Sequence, residues 1–496
     1  MAASRSVAIL GGGISGLTTA YYLLSNAAKH SVSISKCYIL ESQSRFGGWL
    51  HSRSFGPNAD DIFELGPRTI STNSYAGTNV VALAGDIGLG DCVKAVDKKS
   101  PNFSKRFVAI DGKLFVLPSK LIHLFQARKP FKPFISYMVK DWRTPPVQIK
   151  PGDDMSVDAF FRYRFAPEIA DYLVNPLCIG ITGGNSSALS MQSMFPNVLK
   201  KEQKFGSVVR GMFSSNEDIY ADLADHWLVK KSVREKWAVF SFDGGVQRLP
   251  DRLCTELEEN YSSAIELMPD TEVTNLTFTE NKVMISADKA DADLSSSLNL
   301  QVDHVFSSIP AFKLASLLSG HEKLKSTLKA IPTVHMAVVS LQFDREVLPK
   351  VVHGFGFLVP LKENSPILGV TFDSCIFQSE ASQGTKLTVM LGGYRFKELF
   401  GEPETVDPEH LKQIALGALK SYLKIQVEPV HHLVSIHQNC IAQYTLNHGQ
   451  RVETIENEIT KLNMSLLGAS YHGFSVPDCI LNAKRKATGW LQEQQS

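Results

Sequence analysis

Ser6-Val7-Ala8-Ile9-Leu10 is a short apolar run closed by glycine, the pattern of a strand buried on both faces. Gly11 to Gly16 then forms a tight loop, and apolar positions from Leu17 to about Ala28 recur at helical spacing. A second strand is expected from Ile34 to Leu40, ending at Glu41. Further on, Phe240 to Gly245 reads as a strand and turn leading into a helix whose Leu249, Leu253 and Leu257 share one face. Asp288 to Ser297 is polar and turn-rich, the composition of a hairpin tip. From Thr333 to Leu391 β-branched and aromatic residues dominate, which predicts a large sheet containing Ala337–Phe343, Gly354–Pro360 and Lys386–Leu391. Ser465 to Ala469 and Val476 to Lys486 read as a last strand and helix. Strand and helix patterns in this alternation predict an α/β (α+β) fold, with parallel units beside antiparallel sheet.

Between Ser100 and Arg210 the character changes. Leu117 to Trp142 interleaves Lys120, Arg128, Lys129, Lys132 and Lys140 with Phe125, Phe131, Phe134, Tyr137 and Trp142, broken by Pro130 and Pro133. Cations beside rings suit an anionic membrane surface, and equally suit a surface helix pair packed inward. No apolar run approaches the ~20 residues of a membrane-spanning helix. Only Met1 to Arg5 precede the first strand, so no cleavable leader is expected and any organelle address lies within the fold.

Composition narrows the chemistry mainly by exclusion. A net charge of +1 gives no global field for nucleic acid. The seven cysteines are scattered without a Cys-x-x-Cys, so reduced, mostly buried thiols are expected. No metal site is expected from the histidines; His431-His432 is a lone adjacent pair. Serine and cysteine nucleophile signatures are absent, which leaves hydrolase readings little support.

The glycine loop carries the positive signal. Gly11, Gly13 and Gly16 follow a strand and open a helix. This arrangement permits a tight turn, close backbone approach to a pyrophosphate, and close helix–strand packing. The intervening Gly12, Ile14 and Ser15 complete the loop, with the helix N-terminus aimed at phosphate. Glu41 can accept hydrogen bonds from ribose hydroxyls, which favours FAD or NAD over NADP. Arg45-Phe46-Gly47-Gly48-Trp49 lets backbone pass beside the second half of a dinucleotide, and this tilts the choice to FAD.

With these motifs, Phe63-Glu64-Leu65-Gly66-Pro67-Arg68, Phe355 to Pro360, Asn439 to Tyr444 and Gly468 to Gly473, the chain resembles the flavin-containing amine oxidase superfamily, and within it the animal members that oxidise protoporphyrinogen. That resemblance covers essentially the whole sequence. It implies a Rossmann-like FAD-binding domain in three segments (1–95, 221–320 and 436–496), a helical membrane-associating and substrate-channel region (96–220), and a mixed-sheet substrate domain (321–435).

The implied reaction converts protoporphyrinogen IX to protoporphyrin IX with molecular oxygen in haem synthesis. In three two-electron steps a hydride leaves for non-covalent FAD, and hydrogen peroxide is the other product. Carried over residue by residue, the flavin contacts fall at Gly11 to Gly16, Glu41, Ser42, Trp49, Gly66, Pro67, Arg68, Thr69, Val273, Ala469, Phe474, Ser475 and Val476. Thr69 stands where a small glycine is expected. The last helix is expected to offer its N-terminus to negative charge on the flavin.

Arg106 is implied to pair with a propionate, Phe355 and Leu358 to sandwich a pyrrole ring, and Gly180 and Thr371 to form walls. No catalytic base emerges, so a backbone carbonyl or water is expected to take the pyrrole proton. The resemblance further implies a peripheral position on the mitochondrial inner membrane, facing the intermembrane space. Family members often dimerise, and neighbouring haem-pathway enzymes are plausible partners. An amine or polyamine oxidase and a non-catalytic flavin-binding scaffold are the alternatives.

Overall fold

The apolar run at the N-terminus sits in the middle of a five-stranded sheet. In this computed structural model, which describes residues 4–55, 61–118, 125–150, 152–214, 221–290, 297–377 and 384–495, the sheet order is Ile265–Met268, Ser33–Leu40, Ser4–Leu10, His304–Ser307, Met464–Leu466. Every pairing is parallel. Val7 to Leu10 are wholly buried, as a central parallel strand covered on both faces requires. Helix Ile14–Ala27 covers one face and packs against the C-terminal helix Val476–Glu493. It starts at Ile14 and not at Leu17, because the extended Gly13 (φ −71°, ψ 178°) already turns the chain into the first helical turn.

A second, seven-stranded sheet runs in the order His431–Ala442, Thr333–Phe343, Thr385–Gly393, Ile367–Thr371, Gly356–Leu358, Arg106–Ile110, Lys113–Val116. It is mixed: Gly356–Leu358 pairs in parallel with Arg106–Ile110, and the other pairings are antiparallel. Two of its strands therefore come from the region expected to be helical. One face packs on helix Pro408–Leu423 through Leu411, Ala415, Leu419 and Leu423, a run at four-residue spacing. A smaller sheet joins Ile70–Ser71 and Val93–Asp97 to Trp237–Phe242, and helix Arg248–Tyr261 follows with Leu249, Leu253 and Leu257 buried as expected.

Helices Phe134–Arg143, Val157–Arg164, Asn175–Thr182, Pro196–Phe205 and Val208–Phe213 form a separate block with its own core. At its centre Arg164 is completely buried, paired with Asp141 at 2.6 Å and Glu202 at 3.0 Å. The guanidinium also donates to the carbonyls of Thr144, Pro145 and Gly206. Asp141 accepts from the Ser207 hydroxyl and the Val209 N–H, so one ion cluster fastens four segments together.

Helix Phe134–Arg143 begins directly after Pro133, as the proline break predicts. The expected row of surface rings is only partly there, because Phe131 and Tyr137 point into the block's core while Phe125 and Trp142 face outward. Packing against Phe160 and Val157 takes the inward pair. Lys120 and residues 291–296 of the expected hairpin tip Asp288 to Ser297 lie outside the described residues. No helix among the described residues is long and apolar enough to cross a membrane. All seven thiols are free, with Cys37, Cys178 and Cys479 buried.

Candidate active site

The glycine loop is built by backbone contacts that leave no room for side chains on most sides. A Cβ on Gly16 would run into the carbonyl oxygen of Gly11, and one on Gly12 into the Phe46 ring. At Gly13 the situation reverses: the nearest atom to an added Cβ is Gly48 Cα at 3.8 Å. Gly47 donates its N–H to Gly12 O at 2.8 Å, which holds the Arg45–Trp49 segment beside the loop. Gly48 (φ +57°) lies in the left-handed region, where glycine carries no Cβ penalty. Arg45 donates to the carbonyls of Phe46, Gly48 and Leu50 and so braces the segment.

Glu41 is buried, accepting the Gly12 N–H at 2.7 Å and the Gln43 N–H at 2.9 Å. These bonds fix its carboxylate at the end of the second strand, with lone pairs left for ribose hydroxyls. One N–H of the loop is thus taken by Glu41 and is not free for phosphate. Ser42 is exposed next to it, its hydroxyl 3.4 Å from the carboxylate. The Thr271 N–H bonds to Glu41 O and the Asp270 N–H to Gln43 O, which brings strand Thr271–Phe278, with Val273, to the same corner.

On the other side Ser308 donates to the carbonyls of Leu10 and Gly11 and lies under Gly468. Tyr444 donates to Ala469 O at 2.9 Å and accepts from the Gly473 N–H at 2.8 Å. Its ring stacks on His448 at 3.9 Å and meets Phe474 edge-on. Ser475 caps the last helix by accepting the Asp478 N–H, and Asp478 adds a carboxylate to the first turn. That helix end, expected to welcome negative charge, is thus closed by its own Ser475 and acidified by Asp478. Helix Ile14–Ala27, by contrast, has no side-chain cap.

Gly66 abuts the Trp49 backbone, and Pro67 to Thr69 continue from there to strand Ile70–Ser71 of the smaller sheet. Arg68 donates to Thr371 and forms an ion pair with Asp373 at 2.9 Å, so a residue assigned to flavin touches one assigned to substrate. The partly exposed Trp49 ring meets His437 edge-on at 5.4 Å. His437 shares a hydrogen bond with Leu65 O at 2.7 Å, and burial lowers its pKa. Nearby Glu64 accepts from Ser52 and the Val246 N–H, and burial pushes its carboxyl up to about 7.

Four of the five substrate-assigned residues lie on or beside three adjacent inner strands of the mixed sheet, and Gly180 meets them from a helix. Gly356 pairs with both Arg106 and Thr371, which sets Leu358 on the strand between them and Phe355 directly before it. Gly180, on helix Asn175–Thr182, faces Leu358 so closely that an added Cβ would stand 2.6 Å from Cδ2. The Arg106 guanidinium lies 5.1 Å from the Phe355 ring centre, and the residue is exposed to solvent.

Ser308, Tyr444, His437 and Phe103 join the site without having been singled out. Tyr444 closes the motif Asn439 to Tyr444 and was within reach. Ser308 and His437 gain their places only through contacts between segments far apart in the chain, and Phe103 lies three residues before Arg106, its ring centre 5.0 Å from the guanidinium.

The uncapped helix, the open face at Gly13 and Gly48, and the buried Glu41 are the features a dinucleotide's pyrophosphate and ribose require. A family model described as flavin containing amine oxidoreductase matches residues 14–489. Human protoporphyrinogen oxidase is 35% identical over 494 residues, covering 98% of this chain and 98% of the relative. The chain belongs to the flavin containing amine oxidoreductase family, in its protoporphyrinogen oxidase branch. The mitochondrial protoporphyrinogen oxidase of Nicotiana tabacum is 28% identical over 485 residues, with 95% and 90% of the two chains covered. A crystal structure of an Exiguobacterium sp. 255-15 protein shares the fold with a TM-score of 0.77 at 22% identity, covering 99% of this chain and 100% of that one. FAD is the cofactor of this oxidoreductase, and the cradle fits it.

Proposed function

We propose that the chain oxidises protoporphyrinogen IX to protoporphyrin IX, using FAD and molecular oxygen, as a step of haem biosynthesis that yields hydrogen peroxide. The observation that carries the reading is Arg106. It is a guanidinium without a carboxylate partner among the described residues, set against an aromatic ring in the part of the mixed sheet that Arg68 links to the flavin cradle. A flat, apolar dicarboxylate needs both features. FAD supplies the two-electron acceptor. The chain's own groups bind and orient: Arg106 receives a propionate, Phe355 and Leu358 hold a pyrrole between them, and Gly180 and Thr371 bound the slot. No side chain stands out as the base for the pyrrole proton, and a backbone carbonyl or water takes that part.

The full-length similarity to human protoporphyrinogen oxidase supports this reading. An amine oxidase would bring a cationic substrate against Arg106, which opposes it. Purified protein should show flavin absorption and produce porphyrin fluorescence from protoporphyrinogen above the autoxidation rate. Turnover of amines alone would overturn the assignment, and flavin bands without oxygen consumption would leave a non-catalytic scaffold.

The reading extends to location and organisation. The sequence similarity to the mitochondrial tobacco relative supports a mitochondrial site. Peripheral docking on the inner membrane, facing the intermembrane space, assigns the outer surface of the helical block to the lipid. Trp142, Met212 and Phe213 are exposed in this block, and Arg210 lies over the Trp142 ring. The three-segment division of the FAD-binding part, a homodimer, and contact with neighbouring enzymes belong to the same proposal.

A further inference from the structure

Arg106 opens the strand Arg106–Ile110, and the single helical turn Pro101–Ser104 delivers Phe103 just before it. The guanidinium lies 5.0 Å from the Phe103 ring centre and 5.1 Å from that of Phe355. The two rings meet edge-on, 5.9 Å apart at 82°. Val96, Val239, Ile376 and Phe377 pack with both rings, so neither is free to swing away. The neighbouring cation is otherwise engaged: Lys105 donates to Val351 O at 2.6 Å. Among the described residues no carboxylate pairs with Arg106.

A guanidinium set against two rings is attracted by their π faces, and Arg106, which stays exposed to solvent, keeps its planar edge of N–H donors free. An arginine held without a counter-ion in this way is a carboxylate receptor waiting for an anion from outside the chain. The two rings differ in duty. Phe355 directly precedes strand Gly356–Leu358, tied to Lys105 O and the Phe372 N–H, and has the slot as well as Arg106 to serve, whereas Phe103 contacts the cation from the connecting turn.

We propose that Phe103 is a specificity-determining residue, which holds the Arg106 fork in place and so makes the site select substrates with a free carboxylate over their esters. The identity of the carboxylate rests on the porphyrinogen reading; the clamp itself does not. Removing the ring frees Arg106 to sample other rotamers, so the carboxylate loses its preformed partner while apolar contacts with the macrocycle remain.

The test compares the wild type with Phe103→Leu and Phe103→Tyr, each titrated with protoporphyrin IX and with its dimethyl ester by tryptophan fluorescence quenching. Flavin absorbance and circular dichroism verify that each variant is folded. The wild type should prefer the free acid. Phe103→Leu should weaken acid binding about five- to tenfold and leave ester binding unchanged, and Phe103→Tyr should restore the acid. Equal losses for acid and ester, no loss at all, or no acid preference in the wild type would each overturn the proposal. Porphyrinogen turnover is measured separately. If the wild type produces no porphyrin while the Phe103-dependent acid preference persists, the proposed activity falls and the clamp stands.

Discussion

A side-chain carbon on Gly180 would stand 2.6 Å from Leu358 Cδ2, so helix Asn175–Thr182 and strand Gly356–Leu358 touch through a glycine and a leucine that leave no slack. Gly180→Ala must push the Leu358 tip aside, into the slot assigned to a pyrrole. Overpacking of this kind costs about 1–3 kcal/mol. Porphyrinogen turnover should fall about tenfold or more, while flavin content stays at the wild-type level by absorbance. An Ala variant with full activity would remove Gly180 from the wall.

Two glycines of the same loop should behave differently. Gly16→Ala collides with the Gly11 carbonyl and should cost both folding stability and flavin. Gly13→Ala meets nothing nearer than Gly48 Cα at 3.8 Å, so the flavin-free protein should melt at nearly the wild-type temperature. Its flavin affinity should nevertheless drop by about tenfold or more, because the methyl faces the pyrophosphate. Thermal melts of stripped protein and flavin titrations separate the two effects.

The glycine loop, its flanking strand and helix, and the leucine face of helix Arg248–Tyr261 were legible in the sequence because each is specified within a few residues of itself. The mixed sheet was legible as β-rich composition, but not in its full extent. Strands Arg106–Ile110 and Lys113–Val116 lie in a region read as helical, and they become strands because Gly356–Leu358 offers them an edge. The ring pair around Arg106 was invisible for a similar reason: Phe103 is three residues away in sequence, whereas Phe355 is brought in by sheet pairing. Alternation of Lys with aromatic residues did not say which rings face outward, since Phe131 and Tyr137 are claimed by a core built from later helices.

Replacing Arg164 by Ala leaves Asp141 and Glu202 buried without their counter-charge. Loss of one partner from a buried pair costs about 3–5 kcal/mol. Differential scanning calorimetry should detect this as a large drop in melting temperature, against almost none for the exposed Arg234→Ala.

Burial lowers the His448 pKa to about 4, because the ring is packed under Tyr444 and its charged form is poorly solvated there. The unfolded chain takes up this proton near pH 6.5, whereas the folded chain does so only near 4. Stability is therefore full above 6.5 and declines as the pH falls toward 4. His448→Asn, though less stable at pH 8, should lose less stability on going from pH 7 to 5 in urea unfolding. An unchanged slope would remove His448 as the titrating group.

Phe213→Asp at the exposed tip of helix Val208–Phe213 should reduce sedimentation with anionic liposomes several-fold and leave detergent-solubilised activity intact. Neutralising Lys129 and Lys132 should have a smaller effect, since each already faces an acid, Asp111 at 3.5 Å and Glu168 at 3.7 Å. Unaltered liposome binding in all three variants would move the docking surface elsewhere.

The five strands of the parallel sheet are gathered from residues 4 to 466, and the edge strand Met464–Leu466 arrives last. During synthesis, a nascent chain therefore carries its glycine loop for almost the whole of translation before His304–Ser307 can acquire its outer neighbour. The loop around Ala469 and the helix that covers the first one are made later still. The flavin cradle and the outer strand of its sheet are therefore complete only once the chain has been made almost to its end, and until then His304–Ser307 is an unpaired parallel edge.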